Sequence, residues 1–282
     1  MEYILLAVLL LFILFCVWQN NSIVVTKMNY KNKKIPQEFN GFKILHVSDF
    51  HNKKFGKNHK RIIEKIKEIN PDVVLIIGDT IDCHLPKPKI AYEFLELLTK
   101  ISSAYLVSGN HEHVCGRYDE FIKGYKKTGV NVIDDISIEI EKNNEKLKIL
   151  GISDLTGDIT ANAFGYINND TKSIFEEKIK NVTSKYNKNE FGILLAHRPE
   201  LIELYAKYNI DLVLSGHAHG GQFRFLGIKG VIAPGQGFFP KYTSGLYKKG
   251  KTSMIVSRGL GNSVIPIRIF NRPELVVINL EK

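Results

Sequence analysis

Cysteine is scarce in this chain: Cys16, Cys83 and Cys115 are the only three in 282 residues, and none sits in a CxxC pair. That argues against a disulfide framework or a thiolate metal site. Cys83 and Cys115 read as small residues near a core, with a redox role left open by their closeness to polar motifs. Internal repeats and low-complexity tracts are absent, as are a twin-arginine pair and an Ala-x-Ala cleavage site near the start. Acidic residues are in deficit, 29 against 39 basic ones, for a net charge of +10. The excess favours anionic partners such as phosphorylated substrates, acidic lipid head groups, cell-wall polymers or nucleic acid, and selects none of them.

What remains is near the globular average, 44% hydrophobic and 24% charged. Neither disorder nor a multi-span membrane protein fits that composition, and the length suits one large α/β domain. The exception is residues 3–18, YILLAVLLLFILFCVW, an uncharged run framed by Tyr3 and Trp18. Aromatic residues at both ends suit a bilayer-spanning helix, although the run is short. The leader is Met-Glu and the run exits through Gln19, Asn20 and Asn21. We therefore expect an uncleaved anchor over residues 1–25, with a cleaved signal or a buried core helix as the alternatives. Lys27, Lys31, Lys33 and Lys34 follow closely, which places the body in the cytoplasm and leaves an exported orientation open. These lysines also suit an anionic membrane surface, at about 1 kcal/mol each.

Residues 26–40 read as a polar, basic connector and residues 41–282 as one catalytic domain. Strands are expected at 43–48, 72–77, 104–108, 131–133, 146–152, 191–196, 211–215, 253–256 and 274–280. Helices are expected at 59–69, 89–101, 117–127, 172–185 and 199–207, from apolar residues three and four apart. Asn70-Pro71 ends the first helix, and Asn143-Asn144 reads as a hairpin turn. The stretch 156–170 reads as a polar loop near the site opening.

The informative feature is the end of each apolar run. KILHVSDFH, VVLIIGDTID, AYLVSGNHE, FGILLAHRP and DLVLSGHAHGG all pass from apolar residues to Asp, Asn or His. Strands position such groups in a common crevice outside their carboxyl ends. Asp49 and His51, one residue apart, would face the same side of an extended chain, and His217 and His219 repeat the spacing. A phosphate ester resists attack because its oxygens repel a nucleophile and its alkoxide leaves poorly. Two cations about 3.5 to 4 Å apart answer both difficulties, by neutralising the oxygens and by making hydroxide available at neutral pH. A bridging carboxylate with neutral imidazoles and an amide oxygen is the donor mixture such a pair requires.

The series DxH, GDxxD, GNH[DE], H and GHxH resembles the calcineurin-like metallophosphoesterase superfamily. Here it reads Asp49-Phe50-His51, Gly78-Asp79-Thr80-Ile81-Asp82, Gly109-Asn110-His111-Glu112, His197 and Gly216-His217-Ala218-His219, within roughly residues 43–222. The apolar start and the GHAHGGQ ending resemble its bacterial membrane-associated branch. The resemblance implies an α/β fold, a four-layer α/β/β/α sandwich of two mixed sheets, preceded by one transmembrane helix. By motif position Asp49, His51 and His219 would hold one metal, Asn110, His197 and His217 a second, and Asp79 would bridge them. His111 would protonate the leaving oxygen or stabilise the transition state, with Asp82 orienting its ring. Cys83 stands where the protein serine/threonine phosphatases carry arginine, which argues against a phosphoprotein substrate. Glu112 reads as a supporting carboxylate.

The donor set suits two divalent ions of manganese, iron, zinc or cobalt, manganese first. Arg198 reads as an exposed structural arginine, or else as a phosphate contact. Phe238 and Phe239 read as core packing, or else as a contact to an acyl chain or bilayer. The function expected is a membrane-anchored phosphodiesterase acting on a lipid- or nucleotide-linked phosphodiester. A pyrophosphohydrolase of a nucleotide-linked glycolipid of the UDP-diacylglucosamine type and a non-catalytic binding module are its rivals. A nucleic-acid partner is disfavoured, since no basic stripe interleaves with aromatics.

Overall fold

Apolar runs of four to six residues separated by amphipathic segments give a chain of strands with covering helices, and that is what folds. The structure, a computed structural model, describes every residue except 156–166, 226, 263 and 264. Helix α1 (Glu2–Asn21) comes first and is almost wholly exposed; among the described residues no other helix is long and apolar enough to cross a membrane. The chain then lays down β1 (Val24–Lys31), β2 (Lys43–Ser48), β3 (Val73–Ile77), β4 (Ser103–Val107) and the short β5 (Asn131–Val132). Helices α2 (Lys60–Ile69), α3 (Pro88–Thr99), α4 (Asn110–Val114) and α5 (Tyr118–Lys127) connect them. The second half supplies β6 (Ser137–Lys142), β7 (Glu145–Gly151), α6 (Asn169–Val182), β8 (Gly192–Leu195), α7 (Ile202–Lys207) and β9 (Leu212–Ser215). A ribbon of β10 (Ile232–Ala233) and β11 (Gly237–Phe238) precedes β12 (Gly245–Lys249), β13 (Thr252–Val256) and β14 (Glu274–Glu281).

Two six-stranded mixed sheets result, ordered β1-β14-β2-β3-β4-β5 and β12-β13-β9-β8-β7-β6. Alternation of side chains sorts the core into three bands. Leu45, Val74 and Leu106 turn outward under Ile62, Ile66, Phe94 and Phe121 of α2, α3 and α5. Ile44, Leu75 and Val276 of the first sheet meet Leu147, Ile193 and Leu212 of the second. Leu150, Leu194 and Val213 pack under Phe175, Ile179 and Leu204 of α6 and α7. The layers are therefore α/β/β/α, as expected.

Most expected elements fall within one to three residues of those observed. The β6–β7 turn has Asn143 and Asn144 at φ 48 and 66, the double left-handed conformation of a two-residue hairpin. Asn70 caps α2 at φ 49, just before Pro71. Two differences bear on the site. Residues 24–31, within the stretch taken for anchor and connector, form β1, paired over eight residues in parallel with β14. Lys34, one of the four flanking lysines, is committed to the body through Asp211 at 2.8 Å. Of the stretch 156–170 expected as a loop, residues 156–166 lie outside the described residues, and Asn169 and Asp170 open α6.

Away from the strand ends, a buried histidine bears on stability. His46, on the inner side of β2, is fully buried, and neither ring nitrogen has a hydrogen-bond partner among the described residues. Burial, weakly opposed by Glu274, pushes its imidazole down from 6.5 to about 3. Above pH 6.5 the ring is neutral in folded and unfolded chains alike and costs nothing through titration. As the pH falls below 6.5 only the unfolded chain takes up the proton, so stability is lost progressively toward pH 3. His46→Phe is expected to remove that term, gaining on the wild type by about 2 kcal/mol between pH 7 and pH 5. Urea unfolding of the two proteins at both pH values measures this; parallel pH dependences would refute it.

Candidate metal centre

In each sheet the parallel strands end at the same edge, and the polar residues sit in the first turn beyond those ends. Asp49 and His51 follow β2, Asp79 follows β3, Asn110 and His111 open α4 after β4, His197 follows β8, and His217 and His219 follow β9. The expected extended geometry of the two HxH-like pairs is not what is observed. Asp49, His51, Asp79, His217 and His219 have φ of 49, 46, 52, 64 and 46, all in the left-handed region. Such conformations cost of the order of 1 kcal/mol or more each and persist only where the surroundings enforce them. They turn the chain tightly in three of the five loops that carry the candidate residues.

Six of the seven proposed ligands lie in two groups there, Asp82 and His111 form a further group with His51, and Asn110 opens α4 with its Oδ1 buried. The potential ligand atoms of Asp49, His51, Asp79 and His219 lie within 4.8 Å of one another, and those of Asp79, His197 and His217 form a second such group. Asp79 belongs to both. Its Oδ2 is 3.1 Å from His197 Nε2 and 3.6 Å from His51 Nε2. His51 and His219 point their Nε2 atoms at each other across 3.2 Å. His197 Nδ1 donates to the Ile77 carbonyl at 3.0 Å, which fixes the tautomer and leaves Nε2 bare toward the centre. Asp49 Oδ2, Asn110 Oδ1, His197 Nε2 and His217 Nε2 are buried without a hydrogen-bond partner among the described residues.

So many converging acceptors without donors would be costly as a mere core. They fit divalent cations, which supply the missing positive charge. The electrostatics agree. Burial and then Asp79 act on Asp49, against a pull from His197, and raise its carboxyl to about 6. Burial opposes charge on His197, but Asp79 and Asp49 outweigh it and raise the ring to about 10. Protons on these groups play the part that cations would take over.

Glu112 holds the loops together. Its carboxylate accepts the backbone N–H groups of Asp79, Thr80, Ile81 and Gly109 at 2.7 to 3.1 Å and the Tyr125 hydroxyl at 2.8 Å. Burial and then Asp79 push its carboxyl up to about 7, and these donors hold the ion against that. Gly109 must be glycine, since a methyl there would strike Asp79 Oδ1. Glu112→Gln turns an amide NH2 toward two or three of the donors. We expect a stability loss on the order of 3 kcal/mol, read by thermal unfolding. A variant melting at the wild-type temperature would show that the network carries no such weight.

His111 sits at the edge of the cluster, its ring perpendicular to His51 at 4.5 Å. Its Nδ1 accepts the Cys83 N–H at 3.1 Å, and Asp82 Oδ1 lies 3.5 Å away while itself accepting the His84 N–H. Burial opposes charge on this ring; Asp79 and Asp82 outweigh it and raise the imidazole well above its ordinary range. The Cys83 contact, by contrast, suits a neutral ring with its proton on Nε2. Cationic charge beside Asp79 removes the first influence and leaves the second. Cys83 is thus a backbone support for His111, a role absent from the sequence reading.

Two readings are corrected. Arg198 is not exposed but buried at 2%, its Nε 2.9 Å from both oxygens of Asp154, with Nη1 3.5 Å from Glu200. Phe238 and Phe239 are not core residues; they are 65% and 71% exposed. Sequence reasoning also missed Glu200, 4.0 Å from His217 Nε2, and Asn271, which donates to the carbonyls of His219 and Gln222 at 2.7 and 3.1 Å. Neither lies in a motif: Glu200 follows His197 by three residues, and Asn271 is set beside the centre from 52 residues beyond His219.

The profile of the calcineurin-like phosphoesterase family matches residues 42–221. Similar proteins include the uncharacterized metallophosphoesterase YkuE of Bacillus subtilis, 28% identical over 93% of this chain and 86% of that protein. The uncharacterized metallophosphoesterase Cj0846 of Campylobacter jejuni is 30% identical over 93% of this chain and 65% of its own length. A transmembrane protein with metallophosphoesterase domain from Danio rerio is 28% identical over 89% of this chain, which spans 55% of that protein. Among solved structures, TT1561 of Thermus thermophilus shares the fold at a TM-score of 0.51 and 13% identity, over 78% of this chain and 90% of that one.

Proposed function

The chain belongs to the calcineurin-like phosphoesterase family, and on that premise we propose that it is a membrane-anchored phosphodiesterase acting on a lipid- or nucleotide-linked phosphodiester. The observation that carries the reading is the pair of ligand groups sharing Asp79. Two divalent ions, manganese by preference, would be held by Asp49, His51, Asp79 and His219 and by Asp79, Asn110, His197 and His217, supplying charge neutralisation and Lewis acidity to a phosphoryl group. The chain's own part is arrangement. Asp49 Oδ1 accepts the His217 N–H at 2.9 Å and Asp79 Oδ1 the His111 N–H at 2.9 Å, so each carboxylate is locked by the loop facing it. His111 offers Nε2–H from the rim, where a leaving oxygen can take the proton, and Asp82 and the Cys83 N–H position its ring.

Helix α1 is read as the anchor and residues from β1 onward as the catalytic body, because β1 completes the first sheet. Lys27, Lys31 and Lys33 favour a cytoplasmic body at the cell membrane. The deciding assay supplies manganese to the purified chain and compares bis-p-nitrophenyl phosphate with p-nitrophenyl phosphate. Faster turnover of the diester is expected. Preference for the monoester would reject the diesterase reading, and metal-loaded protein inert toward both would favour the non-catalytic module.

A further inference from the structure

The second half of α1 is not bare. Phe15 packs edge-on against Phe270 at 5.4 Å, and the Arg272 guanidinium lies over Trp18 at 5.0 Å while donating to Ser22. Beside these contacts a cleft of about 390 Å³ runs between helix and body. Phe12, Ile13 and Val17 form its helical wall, and Pro266 and Ile267 face them. Along the helix the lining turns from apolar at residues 12–17 to amide at Asn20 and Asn21. Lys53 and Asn262 line it from the body. Both are close in the chain to residues at the metal centre: Lys53 is two residues beyond His51, and Asn262 follows Gly261, where a methyl would come within 2.7 Å of His51 Cβ.

We propose that this cleft binds one hydrocarbon chain of a membrane phosphoester and presents its phosphate to the metal centre, so that the substrate class is a lipid lying in the leaflet. The inference rests on reading the centre as a phosphoesterase and α1 as a membrane span. Twenty helical residues are about 30 Å long, the thickness of a bilayer's hydrocarbon core. The cleft follows residues 12–21, the half nearer the body, and so lies at the depth of one leaflet. Its body wall, in which Pro266 and Ile267 stand beside Lys53 and Asn262, must then meet acyl chains, and the surface around Ile267 is apolar. Ile265, Ile267 and Phe270 are 36%, 38% and 59% exposed, an arrangement costly in water and natural in hydrocarbon. The volume lies in the range of small-molecule sites, roughly 300 to 1,000 Å³. The cleft thus offers an apolar slot for a tail and, at Asn20, Asn21, Asn262 and Lys53, amide and ammonium groups for a polar head.

The test uses the full chain in nanodiscs of phosphatidylcholine and phosphatidylglycerol, with Ile267→Trp and Ile13→Trp as cleft-filling variants on its two walls. A phosphatidic acid probe carrying a photoactivatable acyl chain should label the cleft residues. Labelling should fall on the order of tenfold in both variants. Two synthetic diesters sharing one reacting centre, methyl and dodecyl p-nitrophenyl phosphate, supply the second readout. kcat/KM should favour the dodecyl ester by about tenfold to a hundredfold. Each variant should erase the preference, read as the ratio of kcat/KM for the two esters. Labelling unchanged in both variants, or a chain preference that is absent or survives both, overturns the cleft assignment while methyl-ester turnover upholds the enzyme. Loss of turnover on both esters in metal-loaded wild type defeats the phosphoesterase reading and the inference with it.

Discussion

Asp79→Asn is expected to leave at most one tightly held divalent ion per chain and to lower turnover of bis-p-nitrophenyl phosphate by at least about 10³-fold, some 4 kcal/mol of transition-state stabilisation. Asp79 is the one residue common to both ligand groups. Its Oδ2 lies between His51 and His197, and its Oδ1 accepts the His111 N–H. An asparagine keeps the Oδ1 contact through its carbonyl but turns NH2 toward the imidazole nitrogens, where a donor replaces the shared charge. Elemental analysis of the purified variant measures the first effect and steady-state kinetics the second. Retention of two ions with near-normal turnover would refute the bridging role. A linked result concerns pH. Asp49 at about 6 and His197 at about 10 hold protons that bound metal must displace, so metal affinity should weaken as the pH falls through 6. Without Asp79 its repulsion of Asp49 and its pull on His197 both vanish. Calorimetry in buffers of different ionisation heat should then record fewer protons released per metal than in the wild type.

What could be read from the chain, and what could not, follows from where each residue's partners lie. The candidate ligands were legible because each stands just beyond an apolar run, and a strand end is a local feature. β3, with all five residues buried, announces itself. β1 does not: VVTKMNYK lies at a sheet edge and only Tyr30 is buried, so its lysines and Asn29 read as a solvated linker. β12, another edge strand, carries the same disguise in GLYKK. The left-handed turns at Asp49 and His51 were invisible because non-glycine residues adopt them only under tertiary constraint, here Gly259 and Gly261 packed against them. Arg198 looked like a surface residue because the carboxylate that its Nε meets in the interior, Asp154, is 44 residues away. Phe238 and Phe239 looked like core for the opposite reason, since composition cannot tell a buried aromatic from one held out at the edge of a short ribbon.

His111→Ala is the second large effect expected, a loss of about 10²- to 10⁴-fold in kcat on an alkyl diester with metal content unchanged. The separation of the two readouts is what the geometry demands. The backbone N–H of His111, not its ring, orients Asp79, and alanine keeps that bond. The ring meets His51 edge-on and lies at the rim, so its removal should leave the paired ligand groups standing. Lost metal together with lost turnover would mean that the ring is structural, and turnover within a fewfold of wild type would remove it from the chemistry. Varying the leaving group then separates its two candidate roles. A ring that protonates the departing oxygen matters most when that oxygen is a poor leaving group, so the loss in His111→Ala should be small for a p-nitrophenyl ester and grow steeply for an alkyl ester. A ring that only stabilises charge on the phosphoryl oxygens should cost the same factor for both. The Cys83 N–H at Nδ1 leaves the proton on Nε2, the arrangement a proton donor needs, and we therefore expect the steep dependence. Asp82→Asn, which keeps the shape but removes the anion 3.5 Å from Nδ1, should shift the pH profile of kcat while leaving the leaving-group slope in place, as befits a residue that positions the ring rather than touching the substrate.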